Sequence, residues 1–290
     1  RIYIFDNQGK ALEGWPKQLP CYPGNVIPIG APITVGDIDK NGDLEIIVAA
    51  KSNTADFVYI LNHDGTNYPG WPKEGIAGLD SHETILADID GNDGGRLEIL
   101  QDSSHYIEGV GYGLNIFNDD GTPMQGFSFH TSFSIWAVTV GDLDGNNAPE
   151  IIVVDSFWIY VLRKDGTNYP GWPVGVQWPE IASGRSPIIA DIDADNKHEI
   201  FMITTDHSDY KLYGFRSNGV PIPNFPKPLK TAINTPIVSN TKNEYNMDLF
   251  ALGPNGDVYL WAFNGAAYSA ATEWPMFHHA PEHTGRHEIS

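Results

Sequence analysis

Short apolar segments alternate with acidic and glycine-rich turns along the chain. One example reads PITV, followed by the acidic stretch GDIDKNGD and then by EIIVAA. The apolar segments are rich in Ile and Val and lack the three-to-four-residue spacing of an amphipathic helix. The pattern therefore predicts short β-strands joined by tight turns, with no helix.

Two phrases repeat and alternate with each other. The first, GDIDKNGDLEIIVA, returns as ADIDGNDGGRLEIL, GDLDGNNAPEIIVV and ADIDADNKHEIFMI, and the leading aspartates are 51, 54 and 49 residues apart. The second has forms such as VYILNHDGTNYPGWP, in which an alternating strand pattern leads into an Asp-Gly turn and a Gly-Trp-Pro segment. Proline in that segment suits an outer strand. Each period predicts about four strands.

A four-stranded sheet repeated about every 50 residues is typical of a β-propeller blade. The chain carries six copies of the second phrase and five of the first, counting a degenerate one. We therefore predict an all-β protein with a single β-propeller domain over residues 1–290. It would comprise an N-terminal half-blade (1–30), five blade repeats from about 31 to 265 and a C-terminal tail (266–290). Six blades is the economical number, and seven would require a missing part of the chain.

The acidic stretches, called acidic loops below, place oxygen-bearing side chains at fixed positions. Positions one and three are Asp, position five is Asn or Asp, and position nine is Glu. Position seven would contribute a backbone carbonyl, as in loops that wrap a calcium ion. The predicted ligands are Asp37, Asp39, Asn41, Asp43 and Glu45; Asp88, Asp90, Asn92 and Glu98; Asp142, Asp144, Asn146, Ala148 and Glu150; and Asp191, Asp193, Asp195, Lys197 and Glu199.

The alternative for a single loop is an Asp/Asn/Gly turn that caps a hairpin without a metal. Four copies in register favour about four Ca²⁺ sites, with Mg²⁺ the lesser alternative because it keeps more water ligands. The second loop carries a two-residue insertion at Gly94-Gly95, which predicts a weaker or less regular site. A fifth copy, aligned from Ser239, lacks the acids, and we predict that it holds no metal. The residues aligned there are Ser239, Thr241, Asn243, Tyr245 and Met247.

Charge and composition restrict the partners. The formal net charge is −20, which argues against nucleic acid because that ligand requires a basic face. No apolar run reaches the length of a membrane span. The chain begins at Arg1 and resembles a mature product or a fragment, and Cys21 is the only cysteine, so no intrachain disulfide is predicted.

The repeated phrases resemble the FG-GAP/VCBS repeat family, the integrin-α-like β-propellers of secreted and cell-surface proteins. The resemblance rests on the Asp-x-Asp-x-Asn/Asp loops followed by Glu-Ile-Ile-Val, and on the Asp-Gly and Gly-Trp-Pro phrases. It extends over almost the whole chain. It implies calcium at the positions above and an extracellular or cell-surface location, but it does not imply one function, because propellers host many.

Three functions are compatible with these features. The first is a non-catalytic, extracellular, calcium-stabilised propeller that serves adhesion or binds a glycan, a protein or other copies of itself. The second is a propeller-type polysaccharide lyase or hydrolase, and the third is a structural subunit of a surface layer or filament. We favour the first, because the sequence offers no catalytic constellation. The connections that differ between repeats (53–57, 75–83, 103–113, 174–185 and 205–210) are predicted to carry the binding residues.

Aromatic and histidine residues add two minor hypotheses. The repeated Trp15, Trp71 and Trp172 are predicted to pack between blades, whereas sugar stacking suits non-repeated residues such as Trp136, Trp158 and Trp178. A zinc site at His278, His279 and His283 has only their spacing in its favour.

Overall fold

The computed structural model describes residues 1–19, 33–51, 56–74, 84–91, 94–107, 110–176, 186–206, 209–230, 235–239, 246–253 and 256–264. Within these ranges the protein is all-β, as predicted, and contains 19 strands and no helix. Accordingly, these ranges contain no helix that could cross a membrane.

The strands form five antiparallel sheets in chain order, four of them with four strands and the last with three. The first sheet contains β1 (Thr34–Gly36), β2 (Glu45–Lys51), β3 (Asp56–Leu61) and β4 (Lys73–Glu74). The second contains β5 (Ile85–Ala87), β6 (Glu98–Ile107), β7 (Gly111–Phe117) and β8 (Phe129–Thr131). The third contains β9 (Ile135–Gly141), β10 (Glu150–Asp155), β11 (Trp158–Leu162) and β12 (Val174–Gly175). The fourth contains β13 (Ile188–Ala190), β14 (Glu199–Asp206), β15 (Asp209–Phe215) and β16 (Lys227–Leu229), and the fifth contains β17 (Ile237–Ser239), β18 (Asn246–Leu252) and β19 (Val258–Asn264).

Each sheet is a meander in which consecutive strands are neighbours, so one sequence period forms one sheet. In the first four sheets the described side chains of the second strand are buried on both faces, whereas Phe250 and Leu252 of β18 are partly exposed. Every residue of β10 is buried, for example, because the strand lies between β9 and β11 and is covered on each face by an adjacent sheet. This explains why the sequence EIIVV is apolar throughout instead of alternating.

Each pair of successive sheets shares a cluster of buried hydrophobic residues. Ile85 of β5, Ile135 of β9 and Ile189 of β13 belong to a single cluster of buried residues that spans the second, third and fourth sheets. Burial of each such side chain contributes about 1.5–3 kcal/mol to the stability of the folded protein. The packing of sheet against sheet is therefore the main source of stability for this architecture.

The Gly-Trp-Pro segments of the first and third sheets pack against the next sheet. The indole N–H of Trp71 donates to the carbonyl of Asp119, and that of Trp172 donates to the carbonyl of Ser217, each at 2.8 Å. Gly70, with φ of 84°, approaches the next sheet so closely that a Cβ there would lie 1.9 Å from the carbonyl oxygen of Asp120. The predicted packing role of the repeated tryptophans is confirmed, and the close approach explains the glycine that precedes Trp71.

The first 19 residues form isolated bridges, Ile2 with Lys17 and Phe5 with Ala11, and no strand. The side chains of Ile2 and Trp15 pack against the first sheet. This arrangement agrees with the outer half of a further sheet. The number of blades and the domain boundaries stay predictions.

Candidate metal centres

Each of the four acidic loops connects the first strand of a sheet to the second. The three carboxylates at positions one, three and nine converge in every loop, with one oxygen of each within 4.8 Å of the others. The groups are Asp37, Asp39 and Glu45; Asp88, Asp90 and Glu98; Asp142, Asp144 and Glu150; and Asp191, Asp193 and Glu199. The sequence therefore identified residues that the fold brings together four times.

The glutamate at position nine is placed by strand pairing. Glu150 opens β10 and pairs with Gly141, the residue before Asp142, and Glu45 pairs with Gly36 in the same way. These glutamates are nearly buried, with exposed fractions of 1 to 5%. In each loop its Oε2 accepts the backbone N–H of the residue at position two, at 2.7 to 3.1 Å. Each glutamate is thus fixed at the inner end of its loop.

The aspartate at position one folds the loop around itself. Oδ1 of Asp142 accepts the N–H of Gly145 at 2.8 Å, and Oδ2 accepts the N–H of Asn147 at 2.6 Å. Both donors have positive φ, 76° and 63°, which curls the chain tightly around the carboxylate. Lys40 and Ala194 also adopt this left-handed conformation at position four, although it costs a residue with a Cβ about 1–2 kcal/mol. The loop geometry is thus kept at an energetic cost.

The side chains at position five hydrogen-bond to the backbone at position seven. Oδ1 of Asn41, Asn146 and Asp195 accepts the N–H of Asp43, Ala148 and Lys197, respectively, at 2.6 to 2.9 Å. Asp195 does not belong to the fourth carboxylate group. Asn92 lies outside the described residues. Metal ligation by these side chains and by the carbonyls at position seven stays a prediction.

The electrostatics of the loops favour a bound cation. Burial, with a smaller contribution from the nearby aspartates, raises the pKa of Glu45 and Glu98 to about 7. Burial and the neighbouring aspartates likewise raise the pKa of Glu150 and Glu199 to about 8. A divalent cation at the convergence point would neutralise these like charges, and carboxylate oxygens are the ligands that Ca²⁺ and Mg²⁺ prefer. The donor set of each group therefore fits a hard divalent metal ion.

Two tyrosines, which the sequence pattern did not single out, orient the carboxylates at position three. The hydroxyl of Tyr169 donates to Oδ2 of Asp144 at 2.7 Å, and that of Tyr68 donates to Oδ2 of Asp39 at 3.1 Å. Burial raises the pKa of both phenols, that of Tyr169 to about 12, so each stays a donor at neutral pH. The signal was present in the phrase DGTNYPGWP, which occurs in the first and third sheets only.

The insertion at Gly94-Gly95 leaves Asp88, Asp90 and Glu98 grouped like the other sets; the predicted weaker affinity of the second loop is untested.

In the fifth sheet Ser239 pairs with Asp248, just as Ala190 pairs with Glu199 in the fourth. The alignment of Ser239 with position one was therefore wrong by one residue. Asp248, only 2% exposed, is the equivalent of the buried glutamate. Counting back along the sequence puts Asn240, Lys242 and Glu244 at positions one, three and five; they lie outside the described residues, as do Trp178, His278, His279 and His283.

Comparison with solved structures supports the fold. The chain is similar to the crystal structure of the V. cholerae biofilm matrix protein Bap1, with a TM-score of 0.61 and 17% sequence identity over 88% of this chain and 41% of that one. This chain thus corresponds to less than half the length of that chain. Two crystal structures of BBS1N in complex with ARL6DN also match, each with 13% sequence identity. The one soaked with lead has a TM-score of 0.46 over 84% of this chain and 68% of that one. The one soaked with mercury has a TM-score of 0.45 over 86% of this chain and 73% of that one. No family model and no curated protein matched the sequence.

Proposed function

We propose that the protein is a non-catalytic, calcium-stabilised β-propeller of six blades, of the FG-GAP/VCBS type, that binds a partner outside the cell. The observation that carries this proposal is the recurrence of one three-carboxylate group at the same place in four consecutive sheets. A turn that only caps a hairpin does not need three converging carboxylates, one of them buried. The described residues of the first 19 positions and the five sheets are compatible with six blades in a ring.

Calcium is favoured over magnesium because these loops offer many protein oxygens. Extracellular calcium modules bind at about 10⁻⁴–10⁻³ M, a concentration range found outside cells. The fold similarity to a biofilm matrix protein supports an extracellular or cell-surface location. Chelation should lower the melting temperature markedly and excess Ca²⁺ should restore it; an unchanged melting curve in chelator would refute calcium dependence.

The surface that we assign to the partner lies at the end of the sheets opposite the acidic loops. Phe133, which precedes β9, and Phe157, in the β10–β11 turn, are in contact there, with ring centroids 4.4 Å apart. Trp158 follows Phe157 directly in the chain and begins β11. These three residues, called the aromatic patch below, are 36 to 40% exposed. The six-residue strand β10 separates the patch from the third acidic loop by about 17–20 Å.

The aromatic patch is held rigidly by a buried carboxylate. Oδ1 of Asp155 accepts the N–H groups of Phe157 and Trp158, each at 2.8 Å, and Oδ2 accepts the hydroxyl of Tyr160 at 3.1 Å. Asp155 itself is fully buried. Rigid aromatic side chains lose little conformational entropy on binding, so the patch is preorganised for contact.

The chemistry of the aromatic patch suits a neutral glycan. Its exposed side chains carry no charge, whereas the chain has a net charge of −20, which opposes anionic partners and close approach of a second copy. Flat rings flanked by hydroxyl groups, such as that of Ser156, which accepts the indole N–H of Trp136 at 2.9 Å, match the apolar and hydroxyl faces of a sugar ring.

The test is a panel of soluble neutral and acidic glycans, scored for binding and for new reducing or unsaturated ends. We expect binding of neutral glycans without product formation, lost in Trp158→Ala and retained in Leu260→Ala, which removes an exposed side chain from the fifth sheet. Product formation would favour the lyase or hydrolase. Binding of no glycan, together with self-assembly under the microscope, would favour the structural subunit.

A further inference from the structure

Neighbouring acidic loops are joined by backbone hydrogen bonds. The N–H of Leu97, which precedes Glu98 in the second loop, donates to the carbonyl of Ile38 at position two of the first loop, at 3.0 Å. The N–H of His198, which precedes Glu199, donates to the carbonyl of Leu143 in the third loop, also at 3.0 Å. Loops one and two are therefore connected directly, and so are loops three and four.

These bonds complete a continuous path from one buried glutamate to the next. Oε2 of Glu45 accepts the N–H of Ile38, and the carbonyl of Ile38 accepts the N–H of Leu97, whose next residue is Glu98. The second pair repeats this path from Glu150 through Leu143 to His198 and Glu199. A shift of one glutamate on metal binding thus acts on the backbone that positions the next.

The path is interrupted between loops two and three. The residue that precedes Glu150 is Pro149, which has no N–H to donate to the equivalent acceptor, the carbonyl of Ile89. The packing at position four of the loops independently shows the same interruption. A Cβ at Gly145 of loop three would lie 2.4 Å from the carbonyl oxygen of Asn196 in loop four, whereas no described atom lies within 4 Å of one at Gly91 in loop two.

The first pair has a side-chain bridge in addition. The hydroxyl of Tyr68 lies 3.1 Å from Oδ2 of Asp39 and 3.3 Å from Oδ2 of Asp119. The same Asp119 oxygen accepts a hydrogen bond from Nη1 of Arg96 at 2.6 Å, and Arg96 precedes Leu97 in the second loop. In the second pair Ser217 occupies the place of Asp119, so Tyr169 orients only the carboxylate of its own loop.

We infer that the four metal sites act as two coupled pairs, loop one with loop two and loop three with loop four, with no coupling between loops two and three. This inference rests on the proposed calcium sites. Binding at either member of a pair orders the shared path and raises affinity at the other by the same factor, because such coupling is reciprocal.

The experiment compares variants that keep two adjacent sites each, with calcium binding measured by titration calorimetry. Sites one and two remain in the first variant, Asp144→Ala/Asp193→Ala. Sites two and three remain in the second, Asp39→Ala/Asp193→Ala. Sites three and four remain in the third, Asp39→Ala/Asp90→Ala. Coupling of about 5- to 150-fold is usual between linked sites and gives, for two equal sites, a Hill coefficient of about 1.4–1.85. We expect coupling of this size, taken from a two-site fit that allows unequal affinities, for the first and third variants, and a coupling factor of 1 for the second.

Two tyrosine variants provide a matched comparison. In the protein that keeps sites one and two, Tyr68→Phe breaks the side-chain bridge and should lower the Hill coefficient. In the protein that keeps sites three and four, Tyr169→Phe should change the affinity of site three and leave the coupling factor, taken from a two-site fit, unchanged. Equal effects of the two changes on cooperativity would overturn the role given to the Asp119 bridge.

Cooperativity between sites two and three equal to that of the other pairs would overturn the inference. If the two-site proteins do not fold, the unmodified protein answers the question, because two separate pairs give a Hill coefficient above 1 that cannot exceed 2. A higher value, or a value of 1 for equal affinities, contradicts pairing. Binding of no calcium at all would instead refute the proposed sites themselves.

Discussion

Replacing Glu150 by Gln should stabilise the calcium-free protein at alkaline pH. Burial, and then the charges of Asp144 and Asp142, raise the pKa of Glu150 from 4.5 to about 8. Because the folded-state pKa lies above the unfolded one, the carboxyl contributes stability below pH 4.5 and loses it as the pH rises through about 8. Glutamine is nearly isosteric and uncharged, and its amide oxygen can still accept the N–H of Leu143.

The magnitude follows from the same linkage. A tenfold change in proton affinity corresponds to about 1.4 kcal/mol, so the full effect of such a raised pKa would be several kcal/mol at pH 9. Relaxation and entry of water reduce the cost of a buried charge, and we expect a gain of about 1–3 kcal/mol in the free energy of unfolding. At pH 4 the variant and the unmodified protein should be equally stable.

Urea unfolding in chelator at pH 4 and at pH 9 measures the difference. Glu13→Gln, which removes the same charge from an exposed turn, is the control and should have little effect. In saturating Ca²⁺ the order should reverse, because Glu150→Gln removes a metal ligand. If Glu150→Gln in chelator is no more stable than the unmodified protein at pH 9, the carboxylate is not destabilised by burial and the reasoning fails.

Three further predictions concern sheet packing and the fifth loop. Trp71→Phe should cost about 1–3 kcal/mol in chemical denaturation, because it leaves the Asp119 carbonyl without its indole donor. Gly70→Ala should be far more destabilising than Gly9→Ala in thermal melts, since both have positive φ but only Gly70 lies against the next sheet; equal losses would contradict the close approach. Anomalous scattering should show no metal at the loop between Ser239 and Asp248, where the sequence places Lys242 at position three, and a peak there would refute that assignment.

The sequence predicted most of the local structure because each repeat contains the information for its own sheet. The strands, the turns and the convergence of Asp142, Asp144 and Glu150 all follow from contacts within one short hairpin, which spacing along the chain describes well. The alignment of the fifth acidic loop was wrong for a related reason. The aspartates at positions one and three are missing there, so the sequence alone did not establish the alignment, whereas strand pairing between Ser239 and Asp248 sets the true register.

Apart from the packing of the repeated tryptophans, the sequence did not predict the contacts that cross from one sheet to another. Tyr68 is 51 residues from Asp119, and only the packing of two successive sheets brings their side chains together. The same holds for the donation from His198 in the fourth sheet to Leu143 in the third. No period in the sequence encodes such pairs, because they depend on how one repeat is rotated against the next.

The acidic loops and the sheet-to-sheet contacts form one structure at the same end of the protein. Trp71 donates to the carbonyl of Asp119, while the side chain of Asp119 contacts Tyr68, which in turn donates to Asp39 of the first acidic loop. Asp119, which accepts the indole N–H of Trp71, is thus linked through Tyr68 to Asp39, a carboxylate of the first acidic loop. Removal of the cation would free Asp39 to move, loosen Tyr68 and weaken the docking of the first sheet on the second. The proposed metal binding would therefore stabilise more than a single hairpin, because its effect would reach the interface between the first and second sheets.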